Sequence, residues 1–274
     1  MTIHGRFIHH DPGDAYFNMA ADLALWKTLA DGSKIPTLRI YSWDKPSVTA
    51  GWFQNIHKST DVAYCSGKNI PVIRRVSGGG TVFHDKEITY SLCIPIGYNS
   101  IPSSIDGSFR FLLQPLCSAL NATGIPARLN SINDIAVGGK KISGNAQYRS
   151  KGVLLMHGTI ILSIDKDLMC GSLKNKTDGK CNIYKIITSV AEVLHEKEIA
   201  SIRINLEEKI LLYFGSILGL SFESSVMNSN ENAAAGILQN TLFIKNEWNS
   251  DIMTHNKRKK TLEQALDAAG TTLL

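Results

Sequence analysis

Arg74-Arg75-Val76-Ser77-Gly78-Gly79-Gly80-Thr81-Val82-Phe83-His84-Asp85 places two guanidinium groups beside three consecutive glycines. Glycine has no Cβ, so backbone N–H groups can close on an anion, while a guanidinium offers a planar fork of donors matched to carboxylate or phosphate oxygens. The stretch reads as an anion cradle, and equally as a glycine hairpin with solvated arginines. It matches neither Gly-x-Gly-x-x-Gly nor Gly-x-x-x-x-Gly-Lys-Ser/Thr, so the two common nucleotide loops are not supported. A second cluster, Asn133-Asp134-Ile135 and then Gly138-Gly139-Lys140-Lys141-Ile142-Ser143-Gly144-Asn145-Ala146, sets a carboxylate and two lysines around a Gly-Gly turn. Lysines in such a place also serve simply as solvated surface. His157, inside the apolar run from Val153 to Ile164, reads as a hydrogen-bonded core histidine rather than a base.

These residues need a scaffold, and the chain supplies its elements in order. Phe7 and Ile8 open an expected edge strand. Asp14 is placed to cap a helix whose apolar face carries Phe17, Ala21, Leu25 and Leu29, with Gly32 as its stop. Thr37 to Trp43 and Ser47 to Phe53 read as a hairpin about Asp44-Lys45-Pro46. The glycine stretch then joins Ile70 to Ile73 to a strand from Ile88 to Ile96. Phe109, Leu112, Leu113 and Leu116 recur at helical spacing, with Pro115 placed to kink or divide that helix. Short strands flank Gly138-Gly139, and Val153 to Ile164 reads as a buried central strand.

Beyond Asp165 the composition changes: Lys174 to Lys180 is a polar loop, Ile187 to Ile199, Leu206 to Leu218 and Ala233 to Phe243 read as amphipathic helices, and Thr261 to Ala269 as a last one. Asn256 to Lys260 is a small basic run of the kind usually met in solvated linkers. Strands before residue 165 and helices after it define an α+β protein with mixed or antiparallel sheets flanked by helices.

The formal charge of +5 and a pI near 8.9 suit acidic partners or nucleotides, but no block of basic residues is interleaved with aromatic platforms, so nucleic acid is not an expected partner. Five cysteines, Cys65, Cys93, Cys117, Cys170 and Cys181, form an odd set without Cys-x-x-Cys spacing. They argue against a disulfide framework and a zinc site and suit a reducing cytosol. No signal pattern and no apolar run long enough to span a bilayer are present, so a soluble cytoplasmic protein is expected.

The glycine stretch, Asn133-Asp134-Ile135, Gly139-Lys140-Lys141-Ile142-Ser143-Gly144-Asn145-Ala146 and His157-Gly158-Thr159 resemble, in this order, the motifs of the lipoate–protein ligase A family. Asn18-Met19-Ala20, the segment from Trp43 to Asn55 and Glu247-Trp248-Asn249 are similar as well. The resemblance covers most of residues 5 to 249. It implies the α+β catalytic domain shared by lipoate ligases, biotin ligases and octanoyltransferases over residues 1–250, with 251–274 a tail or helix and no full accessory domain. It also implies ATP and Mg²⁺ as cofactors, lipoate as substrate and lipoyl-AMP as intermediate. The lipoyl group would pass to a carrier lysine on dehydrogenase E2 subunits or glycine cleavage H-like proteins, and a separate accessory ligase subunit is a possible partner.

On this resemblance Lys141 becomes the catalytic cation, with Lys140 left facing solvent. Arg75, Ser77, Gly78, Gly79, Gly80, Thr81, Val82, Phe83 and His84 would bind lipoate or lipoyl-AMP, together with Gly144, Asn145, Ala146 and His157. Asn133 and Asp134 would hold the nucleotide, Asp134 also the metal. Such chemistry is positioning and electrostatics, with no protein nucleophile. The expectation is therefore an ATP-dependent lipoate–protein ligase. A biotin ligase is disfavoured because the stretch is not Gly-Arg-Gly-Arg-x-Gly-Arg. The alternatives kept are an octanoyltransferase or lipoyl amidotransferase working through a cysteine thioester, although Arg128 to Asp134 holds no cysteine, and a non-catalytic lipoyl-adenylate or carrier-binding protein.

Overall fold

The computed structural model describes residues 3–174, 176–177, 180–196 and 199–271. Its strands are β1 (Ile3–His9), β2 (Thr37–Tyr41), β3 (Ser47–Ala50), β4 (Val72–Arg74), β5 (Val82–His84), β6 (Lys86–Pro95), β7 (Arg128–Leu129), β8 (Asp134–Val137), β9 (Lys140–Ser150), β10 (Val153–Ser163), β11 (Lys176–Thr177), β12 (Lys180–Cys181) and β13 (Leu220–Ser225). Its helices are α1 (Ala15–Ala30), α2 (Ile56–Ser59), α3 (Val62–Gly67), α4 (Ile105–Ala122), α5 (Lys166–Ser172), α6 (Ile183–Ile186), α7 (Val190–Leu194), α8 (Ala200–Leu218), α9 (Ser229–Leu238) and α10 (His255–Thr271). The α+β reading holds. No helix among the described residues is long and apolar enough to cross a membrane.

The main sheet runs β13-β1-β2-β6-β10-β9-β8-β7, parallel from β13 to β2 and antiparallel thereafter. Because side chains alternate along a strand, each face can carry its own core. Val153 and Leu155 of β10 pack with α1, α9 and α10 around Trp26 and Trp248, whereas Leu154 and Met156 pack with α4 and α8 around Leu116 and Phe214. Asp14 caps α1 as expected, accepting from the N–H of Tyr16 and Phe17.

Two expectations about strands fail because pairing is decided across the fold, and others fail on helix bounds and on the cysteines. β2 and β3 do not form a hairpin; β2 lies between β1 and β6, while β3 pairs with β4 and β5 in a separate three-stranded sheet. β1 is not an edge strand either, because β13, unread in the sequence, pairs with it in parallel. Helix α4 continues through Pro115, held by buried neighbours on either side, Leu112, Leu113 and Leu116. Among the described residues of the helix expected from Ile187 to Ile199, only Val190–Leu194 is helical. Cys170 and Cys181 are joined in a disulfide, so the cysteine reading for a reducing compartment loses its force; their separation of 11 residues matches no motif and gave no sign of the bond. The polar loop expected at Lys174 to Lys180 lies partly outside the described residues. The last helix begins at His255, six residues before the expected Thr261 cap, so the basic run is its first turns.

Candidate functional site

Arg39, Ser91 and His157 lie side by side on β2, β6 and β10, since Ser91 is the registered partner of both others. All three point to the α1 face, where the fully buried Asp22 descends from the helix. Asp22 accepts from Arg39 Nη1 at 2.8 Å, from Ser91 Oγ at 2.7 Å and from Tyr41 Oη at 2.9 Å. Burial pushes the Asp22 carboxyl up, but the hydrogen bond from His157 and the Arg39 charge outweigh it and hold the group below the usual carboxylate range.

From this carboxylate a relay runs outward. His157 Nδ1 lies 3.1 Å from Asp22 Oδ2, and its Nε2 lies 2.6 Å from Ser77 Oγ, which accepts from Arg75 Nε at 3.1 Å. The order carboxylate, imidazole, hydroxyl is that of a nucleophilic triad. Ser77 is fully buried behind His157 and accepts from a guanidinium, so it anchors the glycine loop rather than presenting a nucleophile.

A second relay converges on the same arginine. Glu87 Oε1 receives His84 Nδ1 at 2.7 Å and Trp43 Nε1 at 2.9 Å. His84 Nε2 lies 2.8 Å from Thr49 Oγ1, which in turn accepts from Arg75 Nη1 at 3.2 Å. The indole of Trp43 stacks on the His84 ring with centroids 4.0 Å apart. Arg75 also donates to Thr49 O and, through Nη2, to Gly78 O and Gly80 O. All five of its N–H groups therefore go to neutral protein acceptors, and burial brings its pKa down to about 10. Arg75 thus ties the glycine loop to β3, and it also lines the cavity described below. Arg74 is likewise spent: it braces Gly51 O, Trp52 O and Gln54 O and pairs with Asp251. The loop lies so close to β3 that a Cβ on Gly51 would fall 2.1 Å from Gly79 O.

On the other side of the site Asn145 and Asn133 clip two segments together. Asn133 Nδ2 donates to Asn145 O at 2.7 Å and Asn145 Nδ2 to Asn133 O at 3.0 Å, while Tyr90 Oη donates to Asn145 Oδ1. This fixes the start of β8, where Asp134 Oδ1 meets Lys141 Nζ at 2.8 Å. Lys140 points away and is exposed.

Between the two sides lies a cavity that opens to solvent, about 530 Å³ with its open mouth counted. Met19, Tyr41, Trp43, Val82 and Ala146 give it apolar walls, and Lys141, Asn133, Asn145 and His157 bring polar atoms to it. Arg75, Gly79, Gly80, Thr81, His84 and Gly144 also line it. Of the residues singled out in the sequence, Asp134 sits behind Lys141, Gly78 lines a neighbouring groove, and Phe83 turns away into the small core beside Val48 and Ile161. Asp22, Arg39, Trp43, Thr49 and Glu87 were missed. A carboxylate inside the apolar stretch of α1 was the one signal for Asp22.

Among the described residues no cysteine lines the cavity. Cys65 and Cys93 are buried, Cys93 raised well above its ordinary value by burial, and the Cys117 thiol is pushed up to about 11 by burial. None is an activated thiolate. Asp134 spends its carboxylate on Lys141, and among the described residues no three His, Cys, Asp or Glu side chains gather as a metal site.

An eight-stranded mixed sheet that carries an apolar-walled cavity between an Arg-Gly₃ loop and a Lys-Asp pair defines a lipoate ligase-like catalytic domain. The family model for the lipoyl protein ligase A/B catalytic domain matches residues 14–210, and the chain belongs to that family. An octanoyltransferase LipM of Kyrpidia tusciae is 30% identical over 89% of this chain and 97% of its own. That of Brevibacillus brevis is 28% identical over 89% and 98%. Among solved structures, lipoate-protein ligase A bound with ATP is 25% identical, with TM-score 0.80 over 92% of this chain and all of the other. The bipartite lipoate protein ligase of Thermoplasma acidophilum, 24% identical with TM-score 0.80 over 92% and 98%, shows the same fold.

The family resemblance is thereby upheld and the activity drawn from it corrected. The relatives matched almost end to end are octanoyltransferases, which overturns the expected ATP-dependent, lipoyl-AMP-forming ligase. The physical reason lies in what the motifs do. An apolar-walled cavity, a glycine loop and a lysine would serve a thioester donor as well as an adenylate, so their presence does not tell the two apart.

Proposed function

We propose that this protein transfers an octanoyl group from a thioester donor to the lysine amine of a lipoyl carrier domain, without ATP. The observation that carries the reading is the apolar-walled cavity with Lys141 Nζ at its polar side, in a chain whose end-to-end relatives are octanoyltransferases. The acyl chain lies against Met19, Tyr41, Trp43 and Val82. The acceptor amine attacks the thioester carbonyl carbon, a C–N bond forms, the C–S bond breaks, and the proton lost by the amine ends on the departing thiolate. Lys141, oriented by Asp134, stabilises the oxygen that carries negative charge in the transition state. Arg75, buried without a carboxylate touching it, adds a positive field.

Because the cavity-lining residues include no thiol, we assign direct transfer rather than a cysteine-linked acyl intermediate. Lipoyl domains of E2 subunits and H-like proteins are the proposed acceptors. Intact mass spectrometry of a lipoyl domain incubated with this protein and an octanoyl thioester, with and without Mg²⁺-ATP, tests the reading. Octanoylation without ATP is expected; modification that occurs only when free acid and ATP are supplied sinks it.

A further inference from the structure

Lys141 sits where the main sheet gives its strand least support. The β9–β10 ladder ends at the Asn145–Gly158 pair, and on the other side a register shift between Ile135 and Ala136 breaks the β8–β9 ladder opposite Ile142. A bulge of this kind leaves one residue without a ladder partner and bends its strand, so the backbone there needs holding from outside. The hold comes from a segment far along the chain: Ile187 bridges Lys141 in parallel, and Thr188 N donates to Lys141 O at 2.9 Å.

That segment is tied in turn to α5. Ile183 and Ile187 share the small core of Val48 and Phe83 with Met169 and Leu173, and Cys170 and Cys181 pack against it. The Cys170–Cys181 disulfide joins α5 to β12, just ahead of α6 and Ile187. At its other end α5 is held to α7, where Glu192 pairs with Lys166 and accepts from Thr188 Oγ1 at 3.0 Å. Past α5, Leu173 bridges Thr60 and Lys174 N donates to Ser59 O, while Ser59 Oγ accepts from Thr81 Oγ1 at 2.8 Å. Thr81 and Lys141 both line the cavity. The disulfide therefore links the supports of its two sides.

No step of the acyl transfer uses this bond. Both of its cysteines are half-buried rather than sealed in the core, so an attacking thiolate has access to them. Cys65, which donates to Ser172 O within α5, is buried, and burial raises its thiol. It is a poor nucleophile for reshuffling the bond, so the pair can open and close without scrambling.

We propose that Cys170 and Cys181 form a reversible redox site that sets the position of Lys141. A dithiol reductant supplies two electrons and two protons. Its thiolate attacks one sulfur, the Cys170–Cys181 bond breaks through a mixed disulfide, the reductant closes on itself as a disulfide, and Cys170 and Cys181 are left as thiols. Without the cross-link the chain between α5 and Ile187 regains conformations that the bond excluded, and the Ile187–Thr188 contact with Lys141 opens more often. The small core keeps α5 and α6 docked, so the result is a loosened Lys141 and slower transfer rather than unfolding. The output of this site rests on the acyl-transfer reading, to which it adds control by redox state.

The test compares the oxidised protein, the protein reduced with dithiothreitol, the reduced protein after reoxidation, and the double variant Cys170→Ser, Cys181→Ser. Iodoacetamide labelling with peptide mass spectrometry reports the state of each cysteine. Transfer kinetics and amide hydrogen exchange of peptides covering Lys141 to Ser143 and Ile187 to Ser189 are measured on the same samples. Reduction is expected to open Cys170 and Cys181 to labelling, to speed exchange in both peptides, and to lower kcat by about tenfold or more with a smaller change in KM. Reoxidation should restore all three, and the double variant should match the reduced protein and ignore dithiothreitol. Labelling of both cysteines without reductant, equal kcat in the two states of an active protein, or unchanged exchange at Lys141 overturns the proposal. If neither state transfers an acyl group yet reduction speeds exchange in both peptides, the redox site stands and the acyl-transfer reading fails.

Discussion

Lys141 folds back over Gly144: a Cβ at residue 144 would lie 2.7 Å from Lys141 Nζ and 2.6 Å from its Cε. The Lys-x-x-Gly spacing is thus a steric relation, in which the missing Cβ makes room for the lysine to reach Asp134 and the cavity. Gly144→Ala is expected to displace the ammonium and lower the transfer rate on the order of 100-fold, the scale of losing one oxyanion donor, with little change in melting temperature because a flexible side chain can swing away. Lys141→Met should match it. Steady-state kinetics with an octanoyl thioester checks both, and activity of Gly144→Ala within a few-fold of wild type would mean Lys141 is not needed where it lies.

Arg75→Lys is expected to be a folding defect before it is a catalytic one. One ammonium cannot replace a fork that meets Ser77, Thr49, Gly78 and Gly80, so buried carbonyls are left unpaired at about 1–3 kcal/mol each. Urea unfolding should show a loss of roughly 3 kcal/mol or more. A variant as stable as wild type would show that the glycine loop keeps its shape without the fork.

Acid should probe the row beneath α1. The Asp22 carboxyl is lower in the folded than in the unfolded chain, so the unfolded state binds more protons as the pH falls. Its contribution is complete above the unfolded carboxyl value of about 4 and is lost as the pH falls through the folded value. Asp22→Asn is expected to be destabilised near neutral pH and to show a flatter stability profile below pH ~4. Parallel profiles for the two proteins, measured by denaturant titration at several pH values, would remove Asp22 from the acid response.

Direct transfer makes the free thiols dispensable. Cys117→Ser and Cys65→Ala should retain transfer, and Cys93→Ala should lose stability, as a buried group pared from the core does, without losing turnover per folded molecule. Intact mass of the protein after exposure to the thioester donor alone is expected to show no acyl adduct. An adduct that maps to one of these cysteines and passes to the acceptor would restore the thioester mechanism.

Local chemistry was legible in the sequence wherever a residue type and its neighbours decide the outcome. The Asp14 cap, the Gly138-Gly139 turn, the buried β10 run and the ordered motifs that place the chain in its family all rest on contacts a few residues apart. Tertiary structure decided everything that depends on which strands become neighbours. The sequence offered β2 and β3 as a hairpin, yet β2 joins β6, and only that pairing sets Arg39 beside Ser91 and His157 under Asp22. Glu87 to His84 is local, but its extension through Thr49 to Arg75 crosses strands brought together by the small sheet. Whether Arg75 meets a ligand or its own loop was likewise beyond the motif, because a guanidinium's partners are chosen by the carbonyls that folding delivers to it. Hydrophobic period and turn chemistry act along the chain, whereas burial of a charge is settled by what lies across it in space.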